Sequence, residues 1–539
     1  MSSAASVRNY SADCQPTDSL SRMLVPAPSS DALGPDADLT ERLVAAAELL
    51  EAIAAGEVPL DGLSDEQRTR LVNAAGDVYC PDVTERRQRT KARQKRDRAA
   101  KTAHDETLLA GTGIRVLRDR PVFTTPNVFP PALPGATDEA GEAHTPLGTV
   151  ADERHCYVCK AKFTSVHPFY DQMCRACGDF NYTKRSETTD LTGRVALLTG
   201  GRVKIGYQAG IKLLRAGAHL IVTTRFARDC AIRYAQEPDF EEWGSRLEVF
   251  GLDLRHTPSV EAFCAHLRAT RDRLDFIVNN ACQTVRRPPE FYGHMMELER
   301  RTALDMPGPT RGLLGAYEGL RRSDILTLEP GAADDFIGLT RAAELSQKAL
   351  LAEDGTVPAH LMPAGQLDKD LQQVDLRAGN SWRLLLDEVS SVELLETQLV
   401  NAVAPFVLNA KLKPLMMRTS DRDKHIVNVS AVEGQFYRRF KTTRHPHTNM
   451  AKAALNMMTR TSAADYQAAG IHMNSVDTGW VSDEDPVHIA ERKTAEHGFR
   501  PPLDIVDGAA RIVDPIIDGI RTGQHRWGQF LKDYRPTDW

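Results

Sequence analysis

Over the first 38 residues the apolar positions keep neither a helical nor a strand period. Ser, Ala, Asp and Pro dominate there, so 1–38 is predicted to be disordered. From Leu39 the period becomes helical. LTERLVAAAELLEAIAAG carries apolar residues at helical spacing, with Thr40 as cap candidate and Gly56 as terminator. DGLSDEQRTRLVNAAGDVY predicts a second helix, capped by Ser64 with Gln67 three residues on. This helical arm occupies 39–120, and Pro121, Pro126, Pro130, Pro131, Pro134 and Pro146 mark 121–151 as a linker. A short cysteine-bearing module follows at 152–188. From 189 to 539 short apolar runs alternate with helical patterns, the signature of βαβ units around a parallel sheet, which assigns the α/β class. No internal repeat is evident.

Charge narrows the partners. Lys plus Arg is 67 and Asp plus Glu is 73, a net −6, which argues against a surface that is wholly a nucleic-acid or membrane magnet. No apolar run reaches the roughly 18 residues of a membrane span, and MSSAASVRNYSADC lacks the core of a secretory signal. A cytoplasmic protein is expected. Nine cysteines in a long chain are unlike a dense disulfide scaffold. One local exception to near-neutrality is Glu85–Lys101, with nine basic residues against two acidic ones. No aromatics interleave those charges, so a solvated helix face is preferred to a nucleic-acid contact, and an acidic protein partner stays open.

Four cysteines stand together as Cys156-Tyr157-Val158-Cys159 and Cys174-Arg175-Ala176-Cys177. Each C-x-x-C brings two thiolates onto one tight turn, and two such turns complete a tetrahedron for zinc. Four protein ligands close the site, which makes it structural; His155 is an alternative ligand. The block resembles a zinc ribbon, a module through which a protein partner could be recruited.

RVALLTGGRVKIGYQAGIKLLRAGAHLIVTTR predicts a strand at Val195–Leu198, a glycine turn, a helix at Tyr207–Arg215 and a second strand at His219–Thr223. Such a turn lays helix N–H groups on a pyrophosphate. Here the sequence resembles the short-chain dehydrogenase/reductase family. The family turn T-G-x-x-x-G-x-G is met by Thr199, Gly200 and Gly206, with Gly201, Arg202, Val203, Lys204 and Ile205 between them; Lys204 replaces the middle glycine. Asp253 in GLDL matches the family's adenine-contacting Asp, and Asn279-Asn280-Ala281-Cys282 its N-N-A-G. Asn401 in NAVAPF falls at the family's mid-helix Asn, and Lys452 in AKAALNMMTR at its lysine. In NSVDTGWV, Thr478 replaces a Pro and Val481 stands where a backbone contact to nicotinamide is expected.

The resemblance implies a doubly wound, Rossmann-type parallel sheet that binds a nicotinamide dinucleotide and exchanges hydride with a carbonyl or alcohol. Arg225 closing the second strand, with Arg202 in the turn, favours NADP(H), with NAD as the alternative. Removing an insert at 291–388 from 191–539 leaves 251 residues, a compact single-domain length. That insert follows a strand's carboxyl end. It is expected either to cover the substrate pocket or to form a peripheral or oligomer-forming appendage, so a homo-oligomer is among the expected assemblies.

The catalytic set departs from the family. The resemblance implies a Tyr four residues before the Lys and a Ser on the fifth strand; this chain has Thr448 and Ala431 there, with Ser430 one residue earlier. A threonine hydroxyl is a far poorer acid than a phenol. His445, His447 and Tyr437 are candidate proton donors, and Pro446 is expected to open the helix with His447 and Thr448 in its first turn. The candidate catalytic residues are thus Lys452, Asn401, Thr448, His447, Tyr437 and Ser430. Cys282 is expected as a thiol packed in place of glycine. The alternative reading is a catalytically weak dinucleotide-binding sensor or scaffold. The substrate is not legible.

Overall fold

The computed structural model describes residues 39–79, 83–118, 145–318, 341–368, 372–438 and 441–539. The predicted disordered segment 1–38 and most of the predicted linker lie outside them. The chain divides into two units, 1–97 and 98–539.

In the first unit α1 (Leu39–Ala54) and α2 (Asp65–Tyr79) precede α3 (Val83–Ala110). The capping box at α2 is reciprocal: Gln67 N donates to Ser64 Oγ at 3.3 Å and Ser64 N to Gln67 Oε1 at 3.1 Å. Thr40 is not a cap, because α1 already begins at Leu39. The apolar face predicted for α1 is not buried either: Leu39, Leu43 and Leu50 are exposed. Along α3 the side chains from Arg87 to Lys101 are exposed, as a solvated face requires.

The second unit begins inside α3. There Asp105 accepts from Ala151 N at 2.7 Å, and Arg115 of α4 (Gly113–Arg118) pairs with Asp171 and Glu106, each at 2.7 Å. The predicted arm at 39–120 is therefore not one body: its end belongs with the cysteine module. That module starts earlier than 152, because β1 (Gly148–His155) pairs antiparallel with β2 (Lys162–Val166). Helix α5 (Arg175–Ser186) follows, with Cys174 as its N-cap residue.

The remainder builds the sheet. β3 (Val195–Thr199), α6 (Lys204–Arg215), β4 (His219–Thr224), α7 (Ala227–Ala235) and β5 (Leu247–Gly251) make the first half. β6 (Phe276–Asn279), β7 (Lys424–Ser430), β8 (Ile471–Asp477), β9 (Phe530–Lys532) and β10 (Arg535–Thr537) make the second. Among the described residues the order is β10-β9-β8-β7-β6-β3-β4-β5, parallel except for β10. Strands such as Leu197, Leu198, Ile221 and Val222 are buried on both faces, which is why they read as continuous apolar runs. Chain order reverses between β3 and β6, and that reversal opens the crevice where such sheets bind ligands. In the insert, the described residues from Arg341 to Leu351 form one short helix, Ala342–Leu345. Ser346 Oγ turns back onto Ala343 O and closes it. No helix among the described residues is long and apolar enough to cross a membrane.

At the opposite edge of the sheet His425 and His472 are register neighbours on β7 and β8, and His525 closes on them with Nδ1 3.0 Å from His425 Nε2. Burial, then mutual repulsion, depresses His425; burial also depresses His472 and His525. The folded cluster therefore stays neutral where the unfolded chain takes up protons. Its stabilisation is complete above the ordinary histidine range near 6.5 and is lost as pH falls below it, by up to about 1.4 kcal/mol per pH unit for each histidine. Glu299 works in the opposite direction, since burial lifts it to about 7. The histidine effect is thus read by difference: His425→Gln should flatten the fall in urea-unfolding free energy between pH 7 and 5.5 relative to wild type. Parallel pH profiles would remove the cluster's role.

Candidate cofactor and active site

At the crevice β3 delivers a tight turn into α6. Gly200 has φ +70, and a Cβ on it would stand 2.8 Å from Ala281 Cα. Gly206 is closed in further, since a Cβ there would overlap Gly200 O and Asn280 Nδ2. Lys204, at the position where the family pattern has glycine, still takes the left-handed conformation, with φ +54. The turn's path is thus kept at a conformational cost. Thr199 Oγ1 accepts from Asn280 N and Ala281 N at 3.1 and 3.0 Å, while Asn280 Nδ2 donates to Thr199 O and Gly200 O, both at 3.1 Å. These bonds fasten the end of β6 to the turn. Val203, the N-cap of α6, offers no side-chain acceptor, so the helix N-terminus is open to an anion.

A cavity of about 510 Å³ lies over this turn. Its wall includes Gly200, Arg202–Gly206, Thr223–Phe226, Leu252–Arg255, Asn280–Val285, Asp375 of the insert and Ser482–Val487. Asp253 is buried and chelated by Arg255, whose Nη2 lies 2.7 Å from its Oδ2. Burial opposes its charge, but Arg255 outweighs burial and holds the carboxyl below its ordinary range. Arg225 donates to the Tyr292 hydroxyl at 2.8 Å and stacks over that ring. Arg202 differs: it too lines the cavity, but its Nη1 lies 2.7 Å from Asp229 Oδ2. The insert contributes residues such as Tyr292 and Asp375 to the cavity wall. It is tied down by Arg286 to Asp354 and by Arg287 and Arg377 to Asp375.

The catalytic candidates gather elsewhere. The helix Pro446–Ala468 does begin at Pro446, with His447 and Thr448 buried in its first turn. Lys452 Nζ donates to Val429 O at 2.8 Å, and Ser430 Oγ lies 3.5 Å from Lys452 O. Among the described residues the Thr448 hydroxyl and both His447 ring nitrogens are buried with no hydrogen-bond partner, and His447 Nε2 is 3.6 Å from Glu393 Oε1. His445 has φ 44 and stacks on Trp382 with centroids 3.8 Å apart. Burial lowers its pKa. Asn401 sits in the π-turn Leu399–Val403 and is fastened to the Gln283 backbone, accepting at 2.7 Å and donating at 3.1 Å.

Three expectations change here. Tyr437 is 92% exposed and is no proton donor to a buried centre. Val481 is not part of the cavity wall; it packs against the apolar cluster that includes Cys156, Phe169 and Leu503. Cys282 is exposed in the cavity wall and not packed, with Sγ 3.5 Å from Thr284 Oγ1. Two residues escaped sequence reasoning altogether. Glu393 and Trp382 reach His447 and His445 from distant chain segments, and no local pattern announces them.

The four predicted metal ligands do converge. The Sγ atoms of Cys156, Cys159, Cys174 and Cys177 lie within 4.8 Å of one another; exposed His155 is not in the group. The module is held to the sheet domain by Arg185, fully buried, with Nη1 2.7 Å from Asp504 and 2.9 Å from Asp507. Tyr170 Oη donates to Asp507 Oδ1 at 2.6 Å.

Comparison with known proteins gives two family models in chain order: "short chain dehydrogenase" over residues 194–300 and "Enoyl-(Acyl carrier protein) reductase" over 377–500. The chain is 31% identical over 392 residues to Uncharacterized protein R665 of Acanthamoeba polyphaga mimivirus, covering 70% of this chain and 74% of that one. It is 28% identical over 126 residues to a fatty acyl-CoA reductase of Acinetobacter baylyi, covering 23% of this chain and 42% of that protein's length. Among solved structures, a short-chain dehydrogenase from Streptomyces avermitilis aligns with TM-score 0.37 at 16% identity, covering 64% of this chain and 88% of that one.

Proposed function

Because the chain belongs to the short-chain dehydrogenase/reductase family of oxidoreductases, we propose that its cavity binds NADP(H) and that it catalyses hydride exchange with a carbonyl or alcohol. The observation that carries this reading is Arg225 at the end of β4. It lies in the cavity wall and donates to the Tyr292 hydroxyl, beyond a glycine turn that a Cβ would fill. A guanidinium so placed suits a ribose 2′-phosphate, and the open α6 N-terminus suits a pyrophosphate. The bound nicotinamide would supply or accept the hydride. The chain's own part is to orient the substrate oxygen and to deliver its proton.

For that proton the unpartnered Thr448 hydroxyl lies one helical turn before Lys452, with His447 beside it and Glu393 behind the imidazole. Thr448 relays and His447 supplies, since threonine alone is too weak an acid. Glu393 holds the imidazole in place; despite burial, His447 and Ser381 keep its carboxyl below the ordinary range. The four thiols hold zinc in a closed, structural site.

NADPH oxidation with a panel of aldehydes and ketones tests the activity. Turnover should vanish in Lys452→Ala and in His447→Ala, and turnover surviving in His447→Ala would remove that residue from the proton route. Arg225→Ala should weaken NADPH binding about 10- to 100-fold, the worth of a charge-assisted bond, while leaving NADH within about two-fold. Equal losses for both would return Arg225 to a packing role. One observation favours the second reading, a dinucleotide sensor: Ser430, His447, Thr448 and Lys452 are all buried outside the cavity wall. Tight NADPH binding without turnover on any of the panel would establish it.

A further inference from the structure

The cysteine module meets the sheet domain at a second place besides Arg185. Tyr157, between the first two cysteines, accepts a hydrogen bond from Trp480 N through its hydroxyl at 3.1 Å. Leu503 N donates to Trp480 O at 3.2 Å, so both backbone groups of Trp480 are held from outside the loop. The approach is close. Gly479 has φ +77, and a Cβ on it would lie 3.1 Å from Tyr157 Oη and overlap Leu503. Val481, next along, packs into the same cluster as Cys156, Phe169, Met173 and Leu503. One residue later Ser482 enters the cavity wall, which runs on to Val487.

The position of Tyr157 depends in turn on the knuckle. Tyr157 N donates to Gln172 O and Cys156 N to Ala161 O, both at 2.8 Å, while Lys160 takes φ 63 to close the turn. The four Sγ atoms lie close enough to share one metal ion, which would staple the knuckle.

We propose that Tyr157 is a positioning residue through which metal in the four-cysteine knuckle fixes the loop Thr478–Ser482, so that metal and dinucleotide strengthen each other's binding. The proposal rests on the reading of the cavity as the dinucleotide site and of the knuckle as a zinc site. Binding linkage makes the effect reciprocal: the factor by which zinc tightens NADPH equals the factor by which NADPH tightens zinc.

Tyr157→Phe keeps all four thiols and the ring, and removes only the hydroxyl. Purified variant and wild type should each carry about one zinc per chain by elemental analysis, as four thiolates per ion require. The variant's NADPH dissociation constant should rise about three- to ten-fold, the worth of one hydrogen bond. Competition with a chromogenic chelator gives a readout independent of activity: saturating NADPH should tighten zinc in wild type, and by a smaller factor in Tyr157→Phe. Trp480, 46% exposed, should change its emission when wild type is stripped of zinc, read as the difference from Trp480→Phe. Zinc affinity unmoved by NADPH in wild type overturns the proposal even if Tyr157→Phe does not fold. So does NADPH affinity within two-fold of wild type in a folded, zinc-loaded variant. A wild type that holds zinc but no dinucleotide overturns the cavity reading, and the coupling with it.

Discussion

Gly206→Ala should lose most dinucleotide binding, about 100-fold in NADPH affinity, and lower unfolding free energy by about 1–3 kcal/mol. The Cβ it adds would overlap Gly200 O and Asn280 Nδ2. Neither can step aside cheaply. Gly200 O belongs to the turn itself, and Asn280 Nδ2 fastens the end of β6 to Thr199 O and Gly200 O. Relief therefore comes from moving the turn away from α6, which draws the helix's open N–H groups off the pyrophosphate position. Gly293→Ala supplies the control: that glycine lies within the helix Pro289–Arg300, and a Cβ on it meets nothing within 4 Å. It should be neutral or slightly stabilising. Titration of both variants with NADPH decides the matter, and Gly206→Ala binding within two-fold of wild type would reject the turn as the pyrophosphate site.

Arg185→Met should lower the unfolding free energy by about 3–5 kcal/mol in urea titrations. Arg185 is 0% exposed and stands against Asp504 and Asp507, with its guanidinium 4.3 Å over the Phe169 ring. Burial pushes Asp507 up, whereas Asp504 stays below its ordinary range because Arg185 outweighs burial. Removing the cation leaves two neighbouring acids with only backbone N–H groups, the Tyr170 hydroxyl and the more distant charges of Arg118 and Arg511 to offset them. Methionine keeps much of the side chain's bulk, so the loss reads charge more than volume. The double variant Arg185→Met/Asp504→Asn should recover part of it, because its second change removes one stranded charge. A single-variant loss under 1 kcal/mol would mean that the seam is hydrated.

The family, the order of strands and helices and the four-cysteine cluster were legible from the chain alone. Each is encoded locally: apolar period marks β3, α6 and β4, glycine at 200 and 206 marks the turn, and two C-x-x-C pairs mark the knuckle. Boundaries were less legible, because β1 and the end of α3 take their place from contacts such as Asp105 to Ala151 N. Side-chain roles were least legible of all. No local pattern announced that Arg202 would pair with Asp229. Tyr437 looked like a proton donor until its loop placed it in solvent. His447 gained Glu393, and Trp480 gained Tyr157 from 323 positions away. The sequence by itself determined which chemistry the chain carries and on which element each group rides. The tertiary structure alone decided which groups meet, because a hydrogen bond or ion pair needs contact within about 3–4 Å, and periodicity along one element says nothing about its distant neighbours.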